Sequence, residues 1–323
     1  MKIAVTGASG HIGRVLVKKL IAEGHEVTVW VHREDVTQEL GVAGFRGDLT
    51  DGRDVRRFVK GQKAVCHLAA NIFIRAAGRK RFFRENLRMA SQVLEAVRAE
   101  GCRYLFFSSV HAYDPRPYDE PFDERRPLAL QDRSWYGRSK ALAQQQVMEA
   151  ARAGVDAVVV NPAAVIGPED RKPSLLGKAL LMMARGRLPA LIPGGYNWVD
   201  VRDVAEGALQ ALYRGRQGQA YLLSGHWHSL QEMDALVRRI RGLRRRPPLL
   251  PWWAARLGVP FLGAAARLTG NPPLYTCESL TLLRRGHRDI RHDKASRELG
   301  YRPRPFEETI RDTLLWFEQN KML

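Results

Sequence analysis

The sequence predicts an α/β fold built on a doubly wound parallel sheet, followed by a smaller, mostly helical part. Strand and helix signals alternate through the first half of the chain, which is typical of such sheets. The strand signals are short, nearly continuous apolar runs, as expected where helices cover both faces. Three glycines separate the first strand signal from the first helix signal, in the segment TGASGHIG.

The glycine triplet is the first feature that points to a ligand. Gly7, Gly10 and Gly13 follow the apolar run IAV, and apolar residues then recur at helical spacing. Glycine at a strand-to-helix turn lets a phosphate approach the backbone without a Cβ in the way. The spacing G-x-x-G-x-x-G differs from the usual dinucleotide fingerprint G-x-G-x-x-G, and a flexible surface loop is the alternative.

The remaining elements follow along the chain. Further strands are expected at His25–His32, Ala64–Ala70, Tyr104–Val110, Ala157–Gly167 and Gln219–Gly225. Helices are expected at Asn86–Ala99, Gly137–Ala153, Leu175–Arg185, Leu230–Arg241, Trp252–Leu268 and Phe306–Glu318. The basic, irregular stretch Asn71–Asn86 is expected to form a loop over the sheet edge where ligands bind.

A change in composition near Pro168 divides the chain. Proline and glycine become frequent there, and helical patterns dominate the rest. We expect a dinucleotide-binding domain over residues 1–167 together with about 196–225. Residues 168–195 and 226–323 would form the substrate-binding part. We expect the substrate pocket to use the basic loop 71–84, Val110, His111 and the segment 168–197.

Composition limits the class of protein. A hydrophobic content of 45% and a charged content of 27% are ordinary for a globular chain. No uncharged apolar stretch reaches about 18 residues, so we expect no transmembrane helix. The first strand begins at residue 2, which leaves no room for a signal peptide. Cys66, Cys102 and Cys277 lack metal-ligand spacing, so we expect no metal site and a reducing, cytoplasmic compartment.

The net charge of +18 raises the question of an anionic partner. Arginines are spread over the whole chain, so a general bias toward solvated cationic faces is one explanation. The densest cluster, RRIRGLRRR, precedes an amphipathic stretch with two tryptophans, which makes 238–268 a candidate for weak contact with an anionic membrane surface. Alternatively, the apolar stretch caps a substrate pocket. No recognition motif for nucleic acid accompanies the charge, and no such partner is expected.

The end of the second strand, WVHRED, bears on the choice of cofactor. An Asp or Glu usually holds the ribose hydroxyls of NAD at this place. Here His32 and Arg33 come first, and two basic groups suit a 2′-phosphate, which favours NADP over NAD. An ordinary exposed arginine is the alternative. Further on, Asp48 and Leu49 lie in a loop suited to bind adenine, although Asp48 would equally serve as a turn residue.

Tyr136 and Lys140, four residues apart in WYGRSK, share one face of an expected helix. A nearby ammonium lowers the pKa of a phenol, which would make Tyr136 a usable proton carrier. Such a pair also arises by chance on many helices. Ser108 and Ser109 end a strand at the same sheet edge, where a serine can donate a hydrogen bond to a carbonyl oxygen that gains charge.

Together these motifs resemble those of the extended short-chain dehydrogenase/reductases. TGASGHIG, CHLAAN, FSSVHAY, YGRSK, NPAAVIGP, PGGYNWVDVRDVAEGAL and HDKASRELGYRPRPFEETI occur in that family's order over nearly the whole chain. The chain looks most like bacterial proteins related to dihydroflavonol 4-reductase and to NAD-dependent epimerase/dehydratases. The resemblance implies a Rossmann sheet and a homodimer that pairs through the helices at 86–99 and 137–153.

The resemblance also implies roles for single residues. Tyr136 would be the general acid/base, Lys140 would hold the nicotinamide ribose and lower the tyrosine pKa, and Ser109 would be the catalytic serine, with Ser108 as the alternative. With His32 and Arg33 included, the expected cofactor-binding residues are Gly7, Ser9, Gly10, His11, Ile12, Gly13, His32, Arg33, Asp48, Leu49, Ala69, Ala70, Tyr136, Lys140, Asn161 and Pro162. We interpret Asp203 as a helix cap, and His111 as an extra acid or a residue that shapes the pocket.

Three functions compete at this point. The first is NADP(H)-dependent hydride transfer to or from a ketone, aldehyde or alcohol of a small, fairly apolar substrate. The second is a nucleotide-sugar epimerase or dehydratase with tightly held NAD, which would use the same Ser, Tyr and Lys. The third is a cofactor sensor without catalysis, although such relatives usually lose the Tyr and Lys that this chain retains.

Overall fold

The computed structural model describes residues 1–71, 79–257, 277–284 and 286–323. The strands of these residues are β1 (Lys2–Thr6), β2 (Glu26–Val31), β3 (Ala43–Arg46), β4 (Ala64–His67), β5 (Arg103–Phe107), β6 (Ala157–Pro162), β7 (Ala164–Ile166), β8 (Gly195–Asp200), β9 (Ala220–Leu223) and β10 (His226–Ser229). Seven of them form a parallel sheet in the order β3-β2-β1-β4-β5-β6-β9. The order reverses at β1, beside β4, and ligands bind at such a reversal.

Helices cover both faces of this sheet, as the apolar strand runs predicted. The helices of the described residues are α1 (His11–Ala22), α2 (Thr37–Leu40), α3 (Gly52–Val59), α4 (Arg79–Glu100), α5 (Trp135–Arg152), α6 (Leu175–Ala184), α7 (Val201–Arg214), α8 (Leu230–Arg241), α9 (252–257), α10 (Cys277–Arg284), α11 (Asp293–Leu299) and α12 (Phe306–Gln319). Helices α1, α7 and α11 bury one face of the sheet, and α3, α4 and α5 bury the other. The predicted doubly wound architecture is therefore confirmed.

A second, smaller sheet adjoins the main one. It consists of β10, β8 and β7, with β8 antiparallel to β10 and parallel to β7. Its core is shared with helices α6, α8, α10 and α12. None of the helices among the described residues is long and apolar enough to cross a lipid bilayer.

Two predicted elements were wrong in their extent. The apolar run over 157–167 forms two strands, because proline at position 162 has no N–H for a continued ladder and the chain then pairs with the smaller sheet. The basic stretch assigned to a loop is helical from Arg79 onward. Arginine and lysine are good helix formers, and Arg81 forms an ion pair with Glu85 one turn later. Residues 72–78 lie outside the described part, as does the predicted helix beyond residue 257.

The start of α7 corrects the role of Asp203. The N-cap is Asp200, whose carboxylate accepts a hydrogen bond from the backbone N–H of Arg202. Asp203 lies in the first turn and accepts hydrogen bonds from the backbone and guanidinium of Arg304. The two aspartates stand three positions apart in VDVRDVA. Only the backbone geometry shows that Asp200 caps the helix and that Asp203 binds Arg304 instead.

Candidate active site

A cleft of about 1170 Å³ runs along the carboxyl ends of the main sheet. The turns that follow β1, β2, β3, β4 and β5 line it, together with the first turns of α5. This lining contains every predicted cofactor-binding and catalytic residue except Asn161, and it also lacks His111, the candidate extra acid. The structure therefore brings the predicted residues together in one place.

The glycine turn is tightly built. Gly7 has a φ of +78°, and a Cβ there would lie 2.8 Å from the backbone nitrogen of Ala69. A Cβ on Gly13 would lie 2.2 Å from the carbonyl oxygen of Gly7. The N-terminus of α1 has no side-chain cap at Gly10 and no acidic residue in its first turn. Its free N–H groups and its dipole fit an anion such as the pyrophosphate of a dinucleotide.

The acidic residues after β2 are already engaged. The buried guanidinium of Arg14 donates a hydrogen bond of 2.8 Å to Glu34, and Asp35 accepts hydrogen bonds within its own turn. His32 and Arg33 are exposed at the cleft, and neither has an ion pair or side-chain hydrogen bond with the described residues. The free groups at the strand end are thus basic, as WVHRED indicated.

Asp48 and Leu49 occupy the next loop of the cleft. One carboxylate oxygen of Asp48 accepts hydrogen bonds of 2.8 Å from both the N–H and the hydroxyl of Thr50. Leu49 is 8% exposed and lies beside it. The turn role of Asp48 is therefore observed, and adenine binding by the pair stays a prediction.

Tyr136, Lys140 and Ser109 all line the cleft, and the Tyr136 and Ser109 side chains are joined by a hydrogen bond. The ammonium of Lys140 donates a hydrogen bond of 2.8 Å to the carbonyl of Phe107, and burial lowers the pKa of Lys140 to about 8. Burial raises the pKa of Tyr136, and a hydrogen bond with the Ser109 side chain opposes that rise. The expected lowering of the tyrosine pKa by Lys140 is not found, because the ammonium is bound to a backbone carbonyl and burial dominates at the phenol.

A network of buried side-chain amides contacts the backbone of Ser109 on the side away from the cleft. Asn161 is fully buried and donates hydrogen bonds to the Ser109 carbonyl (2.9 Å) and to Gln144 Oε1 (2.7 Å). Gln144 in turn donates to the hydroxyl of Tyr113 at 2.9 Å. The structure thus places Asn161 behind the cleft wall. Sequence reasoning missed Gln144, although it continues the i, i+4 series of Tyr136 and Lys140 on α5.

Ser108 and His111 flank these residues. The Ser108 hydroxyl is buried at the cleft and has no hydrogen-bond partner among the described residues. The rings of His111 and Tyr136 lie edge to face, 6.1 Å apart, and the backbone N–H of His111 donates to Ser109 Oγ. Burial lowers the pKa of His111 to about 4, against the attraction of Asp132. The imidazole is therefore neutral near pH 7, which corrects its interpretation as an extra acid.

A second cavity of about 700 Å³ meets the cleft at Ala163. Its lining is rich in aromatic side chains, which are Tyr113, Tyr118, Phe122, Trp135 and Tyr196. Besides these rings, the lining also carries charged side chains, which are Asp132, Arg133, Arg256 and Arg284. Val110 and His111 line it as expected, together with Tyr196 and Asn197 of the segment 168–197. Arg256 of α9 also lines it, in line with the alternative that the apolar stretch caps a substrate pocket, and Thr281 and Arg284 of α10 lie within the expected substrate-binding part.

Known proteins resemble this chain over most of its length. Residues 3–224 match the model of the NAD dependent epimerase/dehydratase family. Sterol demethylase protein B of Methylococcus capsulatus is 32% identical over the full length of both chains. A putative dihydroflavonol 4-reductase of Synechocystis sp. is 30% identical and covers 98% of this chain and 94% of its own. The crystal structure of gox2253 is 31% identical, with a TM-score of 0.85 over 99% of both chains.

Proposed function

The chain belongs to the NAD dependent epimerase/dehydratase family of extended short-chain dehydrogenase/reductases, and from that premise we propose that it is an NADP(H)-dependent carbonyl reductase or alcohol dehydrogenase. Enzymes of this family use a nicotinamide cofactor. The observation that carries the proposal is the meeting of Ser109, Tyr136 and Lys140 in a cleft that continues to the glycine turn.

The preference for NADP(H) rests on the residues after β2. The carboxylate of Glu34 already accepts one hydrogen bond on each oxygen, from Arg14 and from Lys172, the latter at 2.7 Å, so its charge is compensated within the protein. His32 and Arg33 remain available at the cleft. A 2′-phosphate would gain charge-assisted hydrogen bonds from them, which a ribose hydroxyl would not.

The chain's own residues supply the proton chemistry. The bound cofactor would supply or accept the hydride. Ser109 would donate a hydrogen bond to the substrate oxygen, and Tyr136 would give that oxygen its proton in reduction or remove it in oxidation. Lys140 would hold the nicotinamide ribose through its ammonium, which can donate charge-assisted hydrogen bonds to the ribose hydroxyls.

The substrate is proposed to be small and fairly apolar. Five aromatic side chains line the cavity beside Tyr136, and burial of apolar surface against them would supply much of the binding free energy. Two relatives are named for reactions of polycyclic compounds, a sterol demethylase protein and a putative dihydroflavonol 4-reductase. Those names support a substrate of that general size and character.

A nucleotide-sugar epimerase or dehydratase with tightly held NAD is the second candidate, which the family description supports. Native mass spectrometry of the purified protein, followed by titration with NADPH and NADH, separates the two. An empty site that binds NADPH in preference to NADH supports the reductase. Retained NAD that does not exchange would favour the epimerase and would contradict the assignment of His32 and Arg33.

Three further expectations remain proposals. We propose the cytoplasm as the compartment, supported by the free, buried thiols of Cys66 and Cys102. We propose a homodimer through α4 and α5. We also propose the division into a cofactor domain, 1–167 with about 196–225, and a substrate-binding remainder.

A further inference from the structure

One exposed surface is not used by the proposed function. It comprises residues 244–257, RRRPPLLPWWAARL, and is called here the basic–apolar surface. Among the described residues, four of the nine exposed large hydrophobic side chains lie within its last nine positions. They are Leu249 (53% exposed), Leu250 (36%), Trp253 (69%) and Leu257 (65%). Single exposed apolar residues are ordinary, but a concentration of this kind marks an interaction surface.

The backbone under this surface is anchored to the body of the protein. Leu191 donates a backbone hydrogen bond to Pro248 and accepts one from Leu250, both at 2.8 Å. In α9, Ala255 is buried and Trp252 packs against the core shared with α6 and α8. Trp253 and Leu257, four residues apart, lie on one outward side of that helix. The apolar side chains are thus presented outward from a fixed base.

The charges divide into two groups along the sequence. Arg238, Arg239 and Arg241 form ion pairs with Asp234, Glu307 and Glu318, so their charges are compensated. The exposed arginines of the basic–apolar surface have no ion pair with any residue that the structure describes. These are Arg244, Arg245, Arg246 and Arg256. Uncompensated cations therefore occur where the exposed tryptophan and leucines are.

The surface is continuous with the aromatic cavity. Arg256 lines that cavity, and it lies between Trp253 and Leu257 on α9. Tyr118, another exposed aromatic side chain at 48%, lines the same cavity. A binding partner that contacts the outer side of α9 would therefore lie next to an edge of the cavity.

We propose that the basic–apolar surface rests on a bilayer that contains anionic phospholipid. Trp253 and the three leucines would enter the headgroup region, and the unpaired arginines would contact lipid phosphates. Tryptophan and arginine around an apolar patch match such an interface in both polarity and charge. An apolar substrate dissolved in the lipid would then reach the cavity along α9, and this last step rests on the proposed function.

Co-sedimentation with lipid vesicles tests the proposal. The intact protein is mixed with vesicles of phosphatidylcholine alone, or of equal parts phosphatidylcholine and phosphatidylglycerol, at low and high salt. Binding should require phosphatidylglycerol and weaken as salt screens the charges. The triple variant Arg244→Gln/Arg245→Gln/Arg246→Gln should lose roughly 100-fold in partitioning, about fivefold for each arginine. Trp253→Ser/Leu257→Ser should also lose binding, with little change in its salt dependence.

The matched control is Arg214→Gln/Arg297→Gln/Arg302→Gln, which removes the same charge from exposed arginines elsewhere that have no ion pair among the described residues. An equal loss of vesicle binding by this control would overturn the proposal, because net charge alone would then explain it. Failure of the wild type to bind anionic vesicles would overturn it as well. So would binding of single-stranded RNA without binding of vesicles.

Vesicle binding and catalysis are separable in this design. Tyr136→Phe should bind vesicles as the wild type does, whatever the reaction proves to be. Unfolding midpoints and NADPH titrations of each variant show that folding and the cofactor cleft are unchanged. Failure of the wild type to bind anionic vesicles thus contradicts the surface, whereas loss of turnover in a variant that still binds vesicles bears only on the proposed function.

Discussion

The side-chain amide of Asn161 donates a hydrogen bond of 2.9 Å to the backbone carbonyl of Ser109. The donor is fully buried on β6, and the acceptor belongs to the serine that we propose orients the substrate oxygen. Gln144 extends this contact to Tyr113, so the serine is held by a chain of side chains that never reach the cleft. We therefore propose that Asn161 is a positioning residue for Ser109.

Asn161→Ala should reduce kcat about 10- to 100-fold, because small displacements of a reacting group are costly. The dissociation constant of NADPH should stay unchanged. Steady-state kinetics and NADPH titration measure the two effects. Gln144→Leu should cause a similar loss, and the two losses should not add in the double variant, since both act through one network. Additive losses would show that the two amides act separately.

Tyr136→Phe should lower turnover by about 10²- to 10⁴-fold, the usual contribution of general acid–base catalysis. The phenyl ring keeps the shape of the side chain, so NADPH binding should persist. Stopped-flow or steady-state assays with ketone substrates measure the loss. Tyr213→Phe, a tyrosine 41% exposed and outside the cleft, is the matched control and should retain activity. Turnover by Tyr136→Phe at the wild-type rate would refute the assigned proton donor.

The activity should fall as the pH rises through about 8. Burial lowers the pKa of Lys140 to about 8, so its ammonium is present below that pH and lost above it. The neutral amine would hold the nicotinamide ribose of the bound cofactor less strongly than the ammonium does. A pH profile of kcat/KM tests this, and Lys140→Arg should move the alkaline limb upward because guanidinium stays charged. If the alkaline limb of the Lys140→Arg profile stayed where it is in the wild type, a group other than Lys140 would be responsible for the titration.

The lowered pKa of Lys140 also makes the stability of the fold depend on pH, and here the stability should increase with pH whereas the activity should fall. Between about pH 8 and the ordinary lysine value, the unfolded chain binds more protons than the folded one, so the free energy of unfolding should rise with pH there. Below pH 8 the penalty for burying the charge is fully present. Urea titrations at several pH values measure this, with Lys140→Met expected to remove the dependence. The same dependence in that variant would point to a different titrating residue.

Arg33→Ala should lower the preference for NADPH over NADH by about tenfold or more. The variant loses a charge-assisted hydrogen bond to the 2′-phosphate, worth roughly 1.5–3 kcal/mol, and NADH makes no such contact. Fluorescence titrations with both nucleotides give the ratio. Arg53→Ala, an exposed arginine at the start of α3 outside the cleft, is the control. A parallel loss of NADH and NADPH affinity would contradict the proposed 2′-phosphate contact.

The sequence alone predicted most of the fold, because the signals involved are local. Continuous apolar runs, a glycine turn and helical periodicity each depend on a few neighbouring residues. The parallel sheet, the last helix at Phe306–Gln319 and the family followed from them. The gathering of Gly7, Asp48, Ser109 and Tyr136 in one cleft followed as well, since the carboxyl ends of parallel strands share one sheet edge.

Tertiary structure decided the features that depend on contacts between distant segments. No local sequence pattern shows that Arg14 binds Glu34 or that Asn161 donates a hydrogen bond to Ser109, because the partners are far apart in the chain. Nor does a local pattern show that Asp200 rather than Asp203 is the N-cap of α7. The rise in the pKa of Tyr136 belongs to the same group, since Lys140 stands one turn away in the sequence and yet donates to Phe107. Burial and hydrogen-bond partners are properties of the packed chain, and they determine which charges remain free to act.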